Sequence, residues 1–201
     1  QDDIWEKEKI EVMSKELEID PSLAGVFCDA KVVDENLEPL GYTLWESVNF
    51  NKAKQLKMEN GQGFNILLER NVIAGATLAI KKEHVINSIP ICKDWMYDYW
   101  ITIVTSFNNR IKPLPFCFNL YRQHSSQCIG AKISLVERLK KSYNTKSKEL
   151  LKDVNRHKIL RDKIITLTAN KNSIQNLENK ISYLQYRHDI SEQFLLKRIK
   201  L

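Results

Sequence analysis

The chain has 201 residues, 43% of them hydrophobic and 9% aromatic, which suits one ordinary domain with an appendage and excludes a disordered chain. No apolar run approaches the ~20 residues of a membrane-spanning helix. The net charge of +6 is unevenly spread: residues 1–131 carry 14 Lys/Arg against 18 Asp/Glu, and residues 132–201 carry 17 against 7. All six Gly, all five Pro and all four Trp also fall in the first stretch. Two regions of different physics therefore meet near Gly130: 1–131, and a basic extension over 132–201.

The chain opens QDDIWEKEKIEVM. On local features, Asp2 and Asp3 are first-turn carboxylates of an amphipathic helix, where they favour the helix dipole. The sharper reading is a divalent metal site, because hard cations take oxygen ligands. Leu23–Val33 reads as a strand around Val26–Cys28 followed by a second short extended piece. DENLEPLGYT predicts turns at Asn36 and at Pro39–Gly41, and residues 46–63 look like a loop or a short helix with a loop. Asn71–Ile80 is an apolar run split by Gly75, which marks either a strand bulge or a close backbone approach to a ligand. Lys81–Ser88 predicts a short helix.

Asp94–Phe107 (DWMYDYWITIVTSF) is long and apolar enough for a helix, so Asp98 within it is costly unless used. Asp98 is either paired with a cation or a backbone cap, or it is a general base in a partly dry cleft. Arg110–Tyr121 is extended, since Pro113 and Pro115 exclude helix. In LYRQHSSQCIGA, Arg122 and His124 alternate along an extended stretch and can face one side. Arg suits phosphate, and neutral His suits a metal or phosphate oxygen. His84, His157 and His188 read as structural. The four cysteines, Cys28, Cys92, Cys117 and Cys128, form no C-x-x-C pair and read as reduced thiols.

Residues 132–201 contain no Gly or Pro, so helices are the default. Ile174, Leu177, Ile181 and Leu184 share one helical face, and Ile159, Leu160, Ile164 and Leu167 do much the same one helix earlier. Three or four amphipathic helices are expected, with breaks at Asn144–Thr145 and Ala169–Ser173. The cationic face reads first as solvated, second as a peripheral attachment to an anionic membrane. A nucleic-acid contact lacks any basic patch interleaved with aromatics.

Taken together, QDDIW, CDAKVVDEN, NVIAGATLAIKKE, YDYWITI and LYRQHSSQCIGA occur in one order. That order and spacing resemble the second half of a family-2 glycosyltransferase of the GT-A fold, of the bacterial rhamnosyltransferase-like kind, over roughly residues 1–131. The resemblance implies an α/β fold: a partial GT-A (nucleotide-diphospho-sugar transferase) domain with a mixed sheet, followed by an α-helical C-terminal extension. It implies Asp2, with Asp3 beside it, as carboxylates contacting Mg2+ or Mn2+, and Asp98 as catalytic base. Gly75 falls on the acceptor side, and Tyr121, Arg122 and His124 match the family's Y-R-x-H near the diphosphate. The family usually has D-Q-D-D-x-W at the first motif, so the nucleotide-binding lobe is expected to precede Gln1, and these 201 residues alone are expected to be inactive. The family more often flanks its base with His and Trp, where this chain has Tyr97 and Tyr99.

The implied activity is metal-assisted, inverting transfer of a sugar from a nucleotide-sugar donor to a saccharide or lipid-linked acceptor, in cell-surface polysaccharide synthesis. The implied location is cytoplasmic, with the tail reaching the inner face of the plasma membrane in the second reading of its charge. The alternative is a non-catalytic interaction protein whose basic helices bind an anionic partner.

Overall fold

The computed structural model describes residues 3–123, 143–167 and 171–199, and the chain divides into two compact units, Gln1–Gly130 and Ala131–Leu201. The first unit is mixed α/β, built on one mixed sheet in the order β1-β5-β2-β3, with β4 also paired to β2.

The central strand β2 is one continuous piece, Leu23–Val33, buried at every position but Lys31. Cover on both faces explains its near-continuous apolar run, where a half-exposed strand would alternate. Along one edge β2 pairs in parallel with β5 (Arg110–Arg122). The register places Cys28 opposite Leu114 but Asp29 opposite Cys117, so two extra residues bulge from β5 at Pro115 and Phe116. Proline has no N–H to give a ladder, and a bulge is where a sheet tolerates it. The other edge of β2 takes β4 (Leu78–Ile80) at Gly25–Phe27 and β3 (Pro39–Thr43) at Lys31–Val33, both antiparallel.

The turn expected at Asn36 is present: the Asp34 side chain accepts hydrogen bonds from the Asn36 and Glu38 N–H groups at 2.8 and 2.9 Å. Pro39–Gly41 is strand instead of turn. Its register slips between Val33↔Pro39 and Lys31↔Thr43, and Gly41, at φ +78°, sits inside the slip.

The opening segment is not a helix carrying acidic first-turn residues. Ile4–Trp5 forms the short edge strand β1, antiparallel to β5 opposite Leu120 and Asn119, and helix α1 begins only at Lys9 and runs to Ile19. Asp3 thus precedes a strand. Residues 46–63 are far more helical than their polarity suggests: α2 (Leu44–Ser47), α3 (Lys52–Lys57), a kinked turn at Met58–Gln62, then α4 (Gly63–Glu69). Caps explain it. Thr43 and Glu46 form a reciprocal capping box, and the Asn51 side chain accepts from the Lys54 N–H. Trp45 and Phe50 pack on Phe27 at ring-centroid distances of 5.4 and 5.7 Å and on each other at 5.0 Å, fixing these short helices on the sheet.

After a 3-10 turn at Gly75–Thr77 come β4, α5 (Lys82–Val85) with a 3-10 extension at Ile86–Ser88, and α6 (Tyr97–Ser106). In α6, Trp100, Ile103 and Val104 are buried, and Trp100 Nε1 donates to the Ser88 carbonyl at 2.7 Å. Cys28, Cys92 and Cys117 are free thiols, and burial pushes the Cys117 thiol up to about 11.

The described part of the second unit contains two long helices, α7 (Tyr143–Ile165) and α8 (Lys171–Ile199), of the three or four expected over 132–201, of which 132–142 lie outside the described residues. The break expected at Asn144–Thr145 lies inside α7. The helices run antiparallel: Ser147 bonds Glu192 near one end, and Arg161 pairs with Glu178 at 3.6 Å near the other. Leu177, Ile181 and Leu184 are buried and Ile174 half-buried. On α7 the buried stripe is Val154, His157, Leu160 and Ile164, with Ile159 exposed. His157 takes the core position that Ile159 was expected to share. Burial lowers its imidazole to about 4, so it is neutral there.

Candidate functional site

A cleft of about 310 Å³ opens in the first unit. Its lining includes Asp3, ahead of β1, and Tyr121 near the end of β5. The segment Asn71–Ala76 and Met96, Tyr97 and Asp98 at the start of α6 line it too, while Leu44 and Val48 come from the α2 region. Asp3, Gly75, Asp98 and Tyr121 are therefore brought together from four separate stretches. Asp2 and His124 lie outside the described residues.

The Asp3 Oδ1 atom accepts the Arg122 backbone N–H at 3.0 Å. This bond ties the carboxylate to the end of β5, and among the described residues Oδ2 has no hydrogen bond. Arg122 does not line the cleft, yet its Nε is buried and has no hydrogen-bond partner among the described residues. A buried guanidinium N–H without an acceptor is costly.

Asp98 occupies the first turn of α6 and is 6% exposed. Its Oδ1 accepts the Tyr99 N–H at 2.7 Å, and its Oδ2 accepts the Gly75 N–H at 2.9 Å. Two backbone donors and the positive end of a helix thus hold the carboxylate in place. A carboxylate has about four acceptor sites, so two are left for a ligand hydroxyl.

Gly75 opens a 3-10 turn and is not in a strand, so the bulge expected there is absent. The close approach it permits is to Tyr97: a Cβ at this position would sit 2.9 Å from Tyr97 Cζ and closer still to the hydroxyl. Tyr97 is itself exposed. The space beside Gly75 is therefore filled by a movable phenol.

Two supports were not foreseen. Asp29, on β2, accepts the Ala30 and Trp45 N–H groups at 2.8 and 3.0 Å and so fixes α2 behind the cleft; burial raises its carboxyl above the usual range. Lys9 is buried, its Nζ donates to the Ala76 carbonyl, and it lies 3.5 Å from the Trp5 ring centroid. Burial lowers its ammonium below the usual lysine range. A signal for Lys9 was present: it falls four residues before Met13, which is itself four before Leu17, on the buried stripe of α1.

No family model matches the chain, and no curated protein matches it. Among the described residues, no group of three or more His, Cys, Asp and Glu side chains is placed to hold a metal ion. The donor set at Asp3 is one carboxylate whose Oδ1 takes the Arg122 backbone N–H, with the second oxygen to spare. That suits Mg2+ or Mn2+ of the kind bound through one or two carboxylates and completed by diphosphate oxygens and water. Among the described residues, no helix is long and apolar enough to cross a membrane.

Proposed function

We propose that the first unit is the acceptor-side half of a GT-A glycosyltransferase of the family-2, rhamnosyltransferase-like kind. It would move a sugar from a nucleotide-sugar donor to a saccharide or lipid-linked acceptor with inversion. The observation that carries the proposal is that Asp3 and Asp98 line one cleft together with Tyr121 and with Gly75, whose N–H bonds Asp98.

The roles follow from the bonds. Asp98, held by the Gly75 and Tyr99 N–H groups, takes a proton from an acceptor hydroxyl on its remaining lone pairs. The freed oxygen attacks the anomeric carbon, and the bond from that carbon to the diphosphate breaks. Asp3 would hold Mg2+ or Mn2+, which when bound neutralises charge growing on the leaving diphosphate. Arg122, whose backbone N–H holds Asp3 and whose buried Nε lacks a partner among the described residues, would offer a positive charge to the leaving diphosphate. Tyr121 and Tyr97 offer aromatic faces against which a sugar ring can lie.

One observation favours the rival, a non-catalytic interaction protein: both Asp98 oxygens already accept backbone N–H bonds, as a purely structural cap would. A transfer assay separates the two. The protein, in its full natural length, is incubated with nucleotide sugars, saccharide acceptors and Mn2+, and nucleoside diphosphate release is followed. The transferase reading expects acceptor-dependent release that Asp98→Asn lowers by ~10²–10⁴-fold. Equal release by wild type and Asp98→Asn sinks it.

A further inference from the structure

Lys9 is 2% exposed, at the start of α1 and a few residues after Asp3. Its ammonium lies against the Trp5 ring and donates to the Ala76 carbonyl, in the turn at Gly75–Thr77. The Asn119 side chain, also buried, donates to the same carbonyl at 3.1 Å. One residue earlier in that turn, the Gly75 N–H donates to Asp98. An unbroken series of contacts thus runs from the segment that carries Asp3, through Lys9 and the turn, to Asp98 on α6. An uncharged side chain in this place would pack under Trp5 and beside Met13 without the desolvation cost of a buried ammonium. What only a long donor supplies is the bond to the Ala76 carbonyl.

We propose that Lys9 is a positioning residue: it pins the Gly75–Thr77 turn so that the Gly75 N–H stays on Asp98, and so holds the Asp3-bearing and Asp98-bearing segments of the cleft in register. Its effect on turnover rests on the transferase reading; its effect on the turn does not.

The test uses Lys9→Met, which keeps the stem and removes the donor, and Lys9→Arg, which keeps charge and donor. Amide hydrogen exchange is read by NMR in the full chain. In Lys9→Met, exchange at Gly75 should rise about tenfold while amides of the β2–β5 ladder keep their protection. Lys9→Arg should restore most of the difference. Unchanged Gly75 exchange in Lys9→Met overturns the proposal.

Should Lys9→Met fail to fold, Trp5→Leu decides. Trp5 is 52% exposed on a two-residue edge strand, so its loss spares the core. Removing the ring that shields the ammonium should speed Gly75 exchange, by roughly threefold, and no change overturns the proposal. In the transfer assay, Lys9→Met should lower kcat about tenfold with acceptor KM held, rescued by Lys9→Arg. A fall in kcat without any change at Gly75 refutes the route through the turn. Absence of transfer by the wild type sinks the transferase reading, and Gly75 exchange then decides the role of Lys9 alone.

Discussion

Asp98→Asn is the substitution a test of general-base chemistry calls for, and the structure says that it also weakens the fold. Both carboxylate oxygens accept backbone N–H groups, from Tyr99 at 2.7 Å and from Gly75 at 2.9 Å, and the residue is 6% exposed. Asparagine has one carbonyl oxygen and one NH2 group. Whichever way the amide turns, its NH2 meets one of the two N–H donors. One charge-assisted bond is lost and one donor is left without an acceptor, a cost of about 1.5–3 kcal/mol. For a unit of this size that lowers the midpoint of melting by roughly 5–12 °C. All four Trp lie in the first unit, so tryptophan fluorescence during urea or thermal unfolding reads that unit selectively. A shift within about 0.5 kcal/mol of zero, the range of an ordinary surface change, would refute the double anchoring. It would equally remove Gly75 as the partner that aims the carboxylate. Activity of the variant must therefore be measured well below its own transition.

Gly75→Ala should leave stability nearly unchanged, because the exposed Tyr97 ring can swing away from the new methyl, but it should weaken acceptor binding; Gly75→Ala with Tyr97→Ala should recover part of that loss, read as acceptor KM. His157 is 3% exposed and its folded value, about 4, lies below the ordinary 6.5, so the neutral imidazole belongs to the folded state. Its contribution is complete above pH 6.5 and is lost as pH falls from there towards 4, by about 3 kcal/mol at most, as the unfolded chain takes the proton first. Helical circular dichroism followed against urea at falling pH should show this loss, and His157→Leu should abolish that part of the pH dependence. If the basic helices meet a membrane, anionic vesicles should bind the protein and salt should release it, since screening acts over about 10 Å at 0.1 M; binding indifferent to salt would exclude an electrostatic anchor.

Elements made by continuous apolar runs were legible in the sequence. Leu23–Val33, the helix within Asp94–Phe107 and the extended Arg110–Tyr121 all stand close to where periodicity and proline put them. Elements made by caps and register were not. The 46–63 stretch reads as a loop or a short helix with a loop because it is polar, and its helices depend on Thr43, Glu46 and Asn51 as caps. Pro39–Gly41 carries turn residues, yet β2 recruits it as a strand with a slip at Gly41. At the site, Asp3, Gly75, Asp98 and Tyr121, singled out by residue type and motif order, line one cleft, while Asp2 and His124 lie outside the described residues. The bond from Gly75 to Asp98 and the reach of Lys9 to Ala76 join residues distant in sequence, so no local pattern carries them. The opening carboxylates mislead for a related reason: acidic residues before an amphipathic run suggest a helix start, but β1 pairing with Asn119 and Leu120 intervenes.

The most direct measurement of the central claim is the stereochemical and kinetic outcome of transfer by the full-length protein. Product linkage is read by NMR and turnover by nucleoside diphosphate release, with wild type, Asp98→Asn and Asp3→Asn side by side at a temperature where all three are folded. The account predicts inversion at the anomeric carbon, a ~10²–10⁴-fold loss of turnover in Asp98→Asn with donor binding little changed, and weakened metal-dependent donor binding in Asp3→Asn. A product that retains the donor's anomeric configuration, or undiminished turnover in Asp98→Asn, would contradict it.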